Sequence, residues 1–501
     1  TTLYAVQRMA QLAMLFSTAG IVSYLHSRSL LAANPKKGYV LMTVSLGFFT
    51  TLATLCKENG LLLPILVGVL ELTIIASRGA ELPKLDRRWA AVFLILPFAF
   101  IVTYLCYRFL SVDIFAYSRS RDFSPFERVL TQPRVVADYL QHWFLPKLYT
   151  TGVFQDHVVK STGVFSPITT AIGFLFHGGL IAFAFVNRRQ LPLMAFGILF
   201  FYVSHLLEST TLNLEMYFEH RNYMAVAFLF LPLMVVVRDK VDRQMAAILA
   251  CISLLVLTGF TRFSATVWSD YEEMVAASAQ KTPTSARAQT EHAINLFNQG
   301  QFEQSLQVLD LAIETIQSNS PLLIANRLII RCNLRQLVPT ELEAAVAVLM
   351  KRRYDPRYLS MYANLAQALA EARCPAVELK QLRPLFVDML VNPVNSEGGP
   401  LSLSHIHYLI GYVDAKTGAG AEAARQFHAS LTAQPDPGSA MSMAALMATE
   451  GYLDEALVLS DKALEYLDNT TLGVRFGVKV TEGDIRKFRT TIRAEIGARG
   501  D

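Results

Sequence analysis

The stretch EMYFEHRNYM, residues 215–224, stands directly ahead of the apolar run AVAFLFLPLMVVV at 225–237. It gathers two carboxylates, a histidine, an arginine and two tyrosines at the mouth of a segment with the composition of a membrane helix. Ionisable side chains close to the hydrocarbon of a bilayer are costly to hold there, so they mark either function or a paired structural group. This junction therefore predicts a membrane protein with chemically important charges at one membrane face.

The composition agrees with that prediction. Of 501 residues, 52% are hydrophobic and only 17% are charged, and the mean hydropathy is +0.34, which is too apolar for one soluble domain of this length. Because a bilayer core about 30 Å thick needs roughly 20 apolar residues per helix, the sequence predicts about eight spans before Trp268. They cover approximately residues 5–25, 39–56, 61–77, 90–109, 168–186, 191–207, 225–237 and 245–260.

Basic residues in the short connections predict the orientation of the spans, since Lys and Arg are retained on the cytoplasmic side. They follow the first, third, fifth and seventh spans: Arg28, Lys36, Lys37, Arg78, Lys84, Arg87, Arg88, Arg188, Arg189, Arg238, Lys240 and Arg243. The connections 56–60, 111–167 and 208–223 are then external, as is the carboxyl-terminal third. The net charge of +4 follows from this asymmetry and needs no nucleic-acid partner.

From about residue 285 the sequence changes to helical repeats. Three segments share a helix, a glycine-centred turn and a second helix with small residues at the contact: 295–316, 408–437 and 445–467. Gly418 and Gly451 are 33 residues apart, close to the tetratricopeptide period of about 34 residues. After a linker at 266–284, residues 285–501 are therefore predicted to form a tetratricopeptide solenoid. Such a solenoid either presents a concave surface to a protein partner or caps the membrane domain.

The cysteines and a search for nucleotide-binding and metal-binding motifs say little about function. Five cysteines are too scattered for a metal cluster, and there is no C-x-x-C, P-loop, dinucleotide glycine fingerprint or HExxH motif. A nucleotide-driven pump and a zinc peptidase are therefore not supported. Cys332 and Cys374 both fall in the solenoid and can pair in an oxidising compartment, although sequence separation shows no contact.

Other polar groups lie on the same predicted external face. Arg8 is near the outer end of the first span, where it either serves a site or extends to the headgroups. The junction Lys57-Glu58-Asn59 interrupts two spans with almost no loop, and is either functional or a turn with its own ion pair.

The external segment 111–167 is richer in polar and aromatic residues. Pro133 opens a predicted amphipathic helix that carries Tyr139 and Trp143, as is typical of helices in the membrane interface. That helix either lines a groove for a lipid-borne substrate or fixes the fold. Asp156 and His157 follow as a candidate acid/base or metal-binding pair, although without a third ligand the metal interpretation is weak.

Four of these segments together resemble a known family: YAVQRMAQLAMLF (4–16), CKENGLLLP (56–64), LTQPRVVADYLQHWFLPK (130–147) with VFQDH (153–157), and YFEHRNYM (217–224). The same order is found in bacterial membrane glycosyltransferases of the C superfamily that carry tetratricopeptide repeats, which are similar to the animal protein O-mannosyltransferases with such repeats. The resemblance covers most of residues 1–480.

The resemblance implies an all-α architecture, with a polytopic transmembrane bundle at 1–265 followed by the α-solenoid. It also implies an enzyme of the bacterial inner membrane that moves a sugar from a polyprenyl-phosphate carrier to a secreted acceptor protein, such as a pilin. The repeats would recruit that acceptor on the periplasmic side.

Such a reaction suggests roles for the polar residues. The anionic oxygens of the lipid phosphate need cations, and those present are Arg221, Lys57, Arg8 and Arg134. The acceptor hydroxyl needs a base and the oxocarbenium-like transition state needs negative charge, for which the candidate contributors are Glu219, Glu58, Asp156 and His157. Expected contacts of the acceptor or the sugar are His220, Tyr217, Tyr223 and Asn59. Glu219 and Glu58 can instead orient Arg221 and Lys57, and a charge network that clamps the external loops is the structural alternative.

In the family that this chain resembles, the catalytic carboxylate usually lies in the first external loop, between the first two spans. This chain opens on Thr1 and enters an apolar helix that starts outside by the charge pattern, so we expect an amino-terminal piece with one or three spans before it. The catalytic base is expected in that piece. No resident cofactor or metal site is predicted, while assistance from a divalent cation stays open.

Two other classes of function compete with the enzyme. A transporter of lipid-linked sugars would also gather charges, but nearer the membrane midplane and often with internal repeat symmetry, of which the sequence shows none. A non-enzymatic scaffold would explain the solenoid but not the clustering of motifs at one membrane face.

Overall fold

The structure, a computed structural model, describes residues 7–79, 82–111, 123–145, 153–316, 320–396, 399–469 and 480–500. Helices make up most of these residues and no β-strand occurs among them, which confirms the all-α class. The chain divides into two units, Thr1–Ala277 and Ser278–Asp501.

The first unit is a bundle of helices of very different apolarity. Its helices, numbered in chain order, are α1 (Arg8–Ser29), α2 (Pro35–Cys56), α3 (Glu58–Ile75), α4 (Arg87–Ser111), α5 (Pro125–Phe144), α6 (Thr169–Asn187), α7 (Pro192–Ser204), α8 (Glu219–Phe228), α9 (Leu231–Lys240), α10 (Arg243–Ser269) and α11 (Tyr271–Lys281). The predicted linker at 266–284 is therefore mostly helical, and α11 crosses the boundary between the two units.

Five of these helices, α2, α3, α4, α6 and α10, are long and apolar enough to cross a membrane. Helices α8 and α9, which meet at a bend of 41°, make a sixth if they count as one span. The sequence predicts about eight spans, and two of the expected ones do not meet these requirements. Helix α1 has polar residues along its length, including Arg8 and Arg28, and α7 has 13 residues, or about 20 Å of helix against a core of about 30 Å.

Helix α3 lies at the centre of the bundle. Leu62, Leu63, Leu66 and Val67 are fully buried there. The segment Leu63–Leu70 of α3 has only apolar side chains, and α3 packs against α1, α2, α4 and α7. The junction between α2 and α3 therefore lies at one end of the hydrophobic core of the first unit.

Helix α5 begins earlier than the sequence predicts. It starts at Pro125, where Ser124 and Glu127 form a reciprocal capping box, and Pro133 lies inside it. The capping box supplies partners for the free backbone N–H groups of the first turn, so it fixes the start of the helix. The carbonyl of Pro133 is 2.8 Å from His177 Nε2 on α6, and His177 Nδ1 is 2.7 Å from the Tyr202 hydroxyl on α7. His177 therefore joins α5 to both helices.

The second unit consists of successive helix pairs. Its helices are α12 (Ala286–Asn298), α13 (Phe302–Ile316), α14 (Pro321–Asn333), α15 (Pro339–Leu349), α16 (Leu359–Ala370), α17 (Arg383–Val391), α18 (Pro400–Lys416), α19 (Gly420–Ala433), α20 (Pro437–Thr449), α21 (Leu453–Asn469) and α22 (Glu482–Gly500). Gly418 and Gly451 have φ of 91° and 89° in the turns after α18 and α20, a conformation that side chains with a Cβ rarely adopt. The predicted glycine-centred turns are confirmed.

A disulfide joins Cys332 at the end of α14 to Cys374 beyond the end of α16, with their Cα atoms 4.9 Å apart. Both cysteines belong to the largest hydrophobic cluster of the second unit. The fold thus brings together the two thiols whose contact the sequence leaves open.

Candidate functional site

A buried ion pair connects two segments that lie far apart in the sequence. Lys57 Nζ, directly after α2, is 2.5 Å from Glu208 Oε1, in the segment between α7 and α8. The Lys57 side chain is 6% exposed and that of Glu208 is 2% exposed. Burial raises the pKa of the Glu208 carboxyl, but the charges of Lys57 and Arg221 outweigh burial and hold that pKa below its ordinary value. Glu208 is therefore a carboxylate that the fold keeps ionised.

The turn before α3 is shaped to present Lys57 to this carboxylate. Asn59 also hydrogen bonds to Glu208, and Gly60 lies so close to α2 that a Cβ there would collide with the main chain of Ala53 and Thr54. Glu58 points away and is exposed, so the expected orientation of Lys57 by Glu58 is not observed. Lys57 is in an extended conformation directly before α3, and Glu58 is the first residue of α3.

Arg221, at the start of α8, is held by main-chain carbonyls. Its Nη2 donates to the Glu215 carbonyl at 2.6 Å and its Nη1 to the Met216 carbonyl at 3.3 Å. Arg221 is 3% exposed and its charge acts on Glu208. The expected pairing with Glu219 is not observed, because residues two positions apart in a helical turn do not face each other.

Arg128 on α5 is a key residue that the sequence reasoning misses. It is completely buried and donates to four carbonyls of the segment between α7 and α8, those of Glu208, Thr210, Leu214 and Glu215, at 2.6–2.9 Å. The sequence does carry a signal for it: positions 128, 132, 135 and 139 lie on one face of α5, and an arginine on a buried face needs hydrogen-bond partners inside the protein. Arg128 therefore fixes the segment that supplies Glu208.

A second set of contacts attaches the same segment to α5 through tyrosine. The Tyr139 hydroxyl donates to the Phe218 carbonyl at 2.9 Å and accepts from the Phe218 N–H at 2.8 Å. Its ring lies 4.7 Å from that of Tyr217 and 5.7 Å from that of His205. Burial raises the pKa of Tyr139 to about 12, so Tyr139 remains a neutral hydrogen-bonding group.

Asp138 on α5 interacts with His142 on the same helix and with the segment after residue 153. Asp138 pairs with His142, one turn later, with Oδ2 3.0 Å from Nδ1. The Tyr217 hydroxyl also hydrogen bonds to Asp138, and Asp138 acts electrostatically on His157. Burial lowers the pKa of His157, partly opposed by Asp156. The structure thus brings His157 close to Asp138.

The remaining predicted residues have separate environments. Arg8 is exposed at the first residue of α1, and Tyr223 is half-buried in α8. His220 is half-buried, stacks near Phe218 with ring centroids 4.9 Å apart, and lies within electrostatic range of Lys57. Arg134 on α5 donates to the Val159 carbonyl at 2.9 Å and to the Ser161 hydroxyl at 3.3 Å.

An apolar groove of about 670 Å³ lies along the carboxyl-terminal half of α5. Its other walls come from α6, α7 and the junction of α8 with α9. Of its 15 lining residues only Gln141 and Tyr202 carry polar side-chain atoms, and Tyr202 already pairs with His177. The volume lies in the range of about 300–1,000 Å³ typical of ligand pockets. The groove therefore suits an extended apolar chain.

Within the described parts of the chain, no group of three or more His, Cys, Asp or Glu side chains is arranged to hold a metal ion. Lys57 instead pairs with Glu208, and Arg128 and Arg221 donate to main-chain carbonyls.

No protein-family model matches this sequence, and no curated protein matches it. Among solved structures, the chain is similar to the crystal structure of a thermophilic TPR protein from Thermus thermophilus. The two are 21% identical, the match covers 42% of this chain and 100% of that protein, and the TM-score is 0.24.

Proposed function

We propose that this chain is an integral-membrane glycosyltransferase that takes a sugar from a polyprenyl-phosphate carrier and transfers it to a hydroxyl of a secreted protein. The observation that carries this proposal is the apolar groove beside α5, which adjoins the polar residues of the same helix. An isoprenoid chain has no hydrogen-bonding groups, so a wall that is almost free of polar atoms suits it.

Helix α5 has the features of a helix that lies in the membrane interface. Trp143 and Phe144 are 40% and 49% exposed at its carboxyl-terminal end, and aromatic side chains favour headgroup depth. The neighbouring wall α6 is one of the helices that are apolar enough to cross a membrane. A carrier lipid could then reach the groove from the bilayer and leave its phosphate at the level of α5.

The cations divide into two roles under this proposal. Lys57 and Arg221 are buried and already partnered, so they stabilise the segment around Glu208 and contribute a positive field. Arg134 also has partners, the Val159 carbonyl and the Ser161 hydroxyl, but both bonds use Nη1 and its side chain is less buried. A guanidinium binds phosphate oxygens through paired N–H groups, so we assign the lipid phosphate to Arg134.

The disulfide of the second unit supports a site of action outside the cytoplasm. Disulfides persist in oxidising compartments such as the bacterial periplasm, and the Cys332–Cys374 bond lies within the core of this unit. We propose that the repeat unit faces the periplasm and recruits the acceptor protein. A scaffold without activity is the second candidate, favoured by the buried ion pair of Lys57 with Glu208.

Binding of the carrier lipid tests the proposal. Ala137→Trp places an indole in the groove, whereas Leu255→Trp adds the same group to the exposed surface of α10 as a matched control. Native mass spectrometry of the purified full chain with undecaprenyl phosphate measures binding. We expect at least tenfold weaker binding for the groove variant and no change for the control. Equal binding by both variants, or no binding by the wild type, would reject the groove as the carrier site.

A further inference from the structure

We infer that a groove between the first two helix pairs of the second unit binds a short segment of the acceptor protein, in which apolar side chains stand beside lysine or arginine. This repeat groove has a volume of about 540 Å³ and is lined by α13, α14 and α15. Its volume lies in the range of about 300–1,000 Å³ typical of ligand pockets, so it suits a few side chains of a peptide. The inference rests on the proposed function for the identity of the partner.

Arg327 on α14 joins the three helices that line the repeat groove. Its Nε contacts Asp310 on α13, and its Nη1 contacts Glu341 on α15. Glu341 also pairs with Arg331, one turn later on α14, with Oε1 3.2 Å from Nε. The side chains of Arg327 and Glu341 are 25% and 16% exposed. Because these ion pairs connect all three helices, the shape of the repeat groove is fixed before a partner binds.

Much of the remaining lining is apolar. Ile313 of α13 and Ile324 of α14 are half-buried, and α15 contributes the small side chains of Ala344 and Ala345. Apolar surface that stays open to water in the free protein is buried when apolar side chains of a partner cover it. The apolar part of the repeat groove therefore suits apolar side chains of the acceptor segment.

The charges of the repeat groove favour a basic partner. Asp310, Glu314 and Glu341 contribute three carboxylates, against the guanidinium groups of Arg327 and Arg331. The carboxylate in excess is that of Glu314, which is exposed and forms no ion pair with the residues that the structure describes. A lysine or arginine next to the apolar contacts would pair with Glu314, whereas a carboxylate at that position would be repelled.

Fluorescence anisotropy of labelled peptides tests the repeat groove. The probe is a short peptide in which leucine alternates with lysine, titrated with the purified full chain in a zwitterionic detergent. The comparison peptide has glutamate in place of lysine. An exposed ion pair changes affinity by up to about fivefold, and glutamate replaces that attraction by repulsion, so we expect the lysine peptide to bind at least about fivefold more tightly. Higher salt should reduce this preference, because salt screens exposed charges.

Two pairs of variants locate the binding. Ala344→Trp places an indole in the repeat groove and should weaken binding of the lysine peptide at least about tenfold. Ala347→Trp adds the same group to the exposed surface of α15 outside the groove and should leave binding unchanged. Glu314→Lys should reverse the preference between the two peptides, whereas Glu303→Lys, at an exposed position of the same helix, should not.

Three results would overturn the inference: no binding of either peptide, equal affinity for both, or unchanged affinity in Ala344→Trp. Wild-type dimers in native mass spectrometry that Ala344→Trp dissociates would also overturn it, because a second copy would then cover the repeat groove. None of these results affects the proposed function, since peptide binding is measured without sugar transfer. Conversely, a chain that binds the lysine peptide but not undecaprenyl phosphate would retain the repeat groove as a peptide site and reject the carrier site.

Discussion

Replacing Glu208 by glutamine should open the site around Lys57. The substitution preserves the shape of the side chain but removes the charge that lies 2.5 Å from the Lys57 ammonium. The ammonium would then be buried without a counter-ion, next to Arg221, whose charge also acts on Glu208. A buried charge that loses its partner retains its full desolvation penalty.

The expected loss can be estimated from the structure. At 2.5 Å and an effective dielectric constant of about 20, the Coulomb attraction of the pair is about 7 kcal/mol. Part of that attraction only offsets the free-energy cost of removing both charged groups from water. Removal of one partner of a buried ion pair lowers the free energy of unfolding by roughly 3–5 kcal/mol. Lys57→Met with Glu208→Leu removes both charges, so the double variant should lie within about 1–2 kcal/mol of wild type.

Cys56 gives a local readout of this opening. It directly precedes Lys57 and its free thiol is half-buried, whereas the free thiols of Cys106 and Cys251 are exposed and are replaced by serine in the background protein. The rate of maleimide labelling reports the population of the open site. A loss of 3 kcal/mol corresponds to labelling roughly 100-fold faster.

Glu58→Gln is the matched control, since it neutralises the exposed carboxylate next to Lys57 and should leave the labelling rate unchanged. Labelling of Glu208→Gln at the wild-type rate would refute the reasoning. A double variant that labels as fast as the single variant would show that desolvation of Lys57 is not the cause.

Three more perturbations test the same region. Gly60→Ala should lower the thermal midpoint of the first unit, measured by circular dichroism in detergent, because the added Cβ collides with the main chain of α2. Gly47→Ala is the control and should leave the midpoint unchanged, because a Cβ there has no neighbour within 4 Å. Arg128→Met should cost roughly 3–5 kcal/mol, since it leaves four main-chain carbonyls without their donor. Hydrogen exchange should then rise across 208–215 but not across α1. Burial lowers the pKa of His157 in the folded protein, so as the pH falls the unfolded chain binds the proton first, and the free energy of unfolding should decrease below about pH 6.5. His157→Gln should flatten this dependence of the free energy of unfolding on pH, measured by urea unfolding. An unchanged dependence would contradict this account.

The sequence by itself determined the features that depend on local pattern. Apolar runs predict the long helices of the first unit. A run of about 20 apolar residues indicates a helix that can cross a bilayer, whichever helices it packs against. The turns at Gly418 and Gly451 follow in the same way, since only a residue without a Cβ adopts their positive φ easily. The amphipathic character of α5 is also visible in its sequence, although the capping box at Ser124 places its start before Pro133.

Only the tertiary structure decided which polar groups meet. Lys57 has Glu58 as its neighbour in sequence but Glu208 as its partner, and Arg128 serves carbonyls of a segment far along the chain. Whether two charges pair depends on distance and burial, and neither follows from sequence spacing once the chain has turned back on itself. The same holds for the apolar groove, whose walls come from α5, α6, α7 and the junction of α8 with α9.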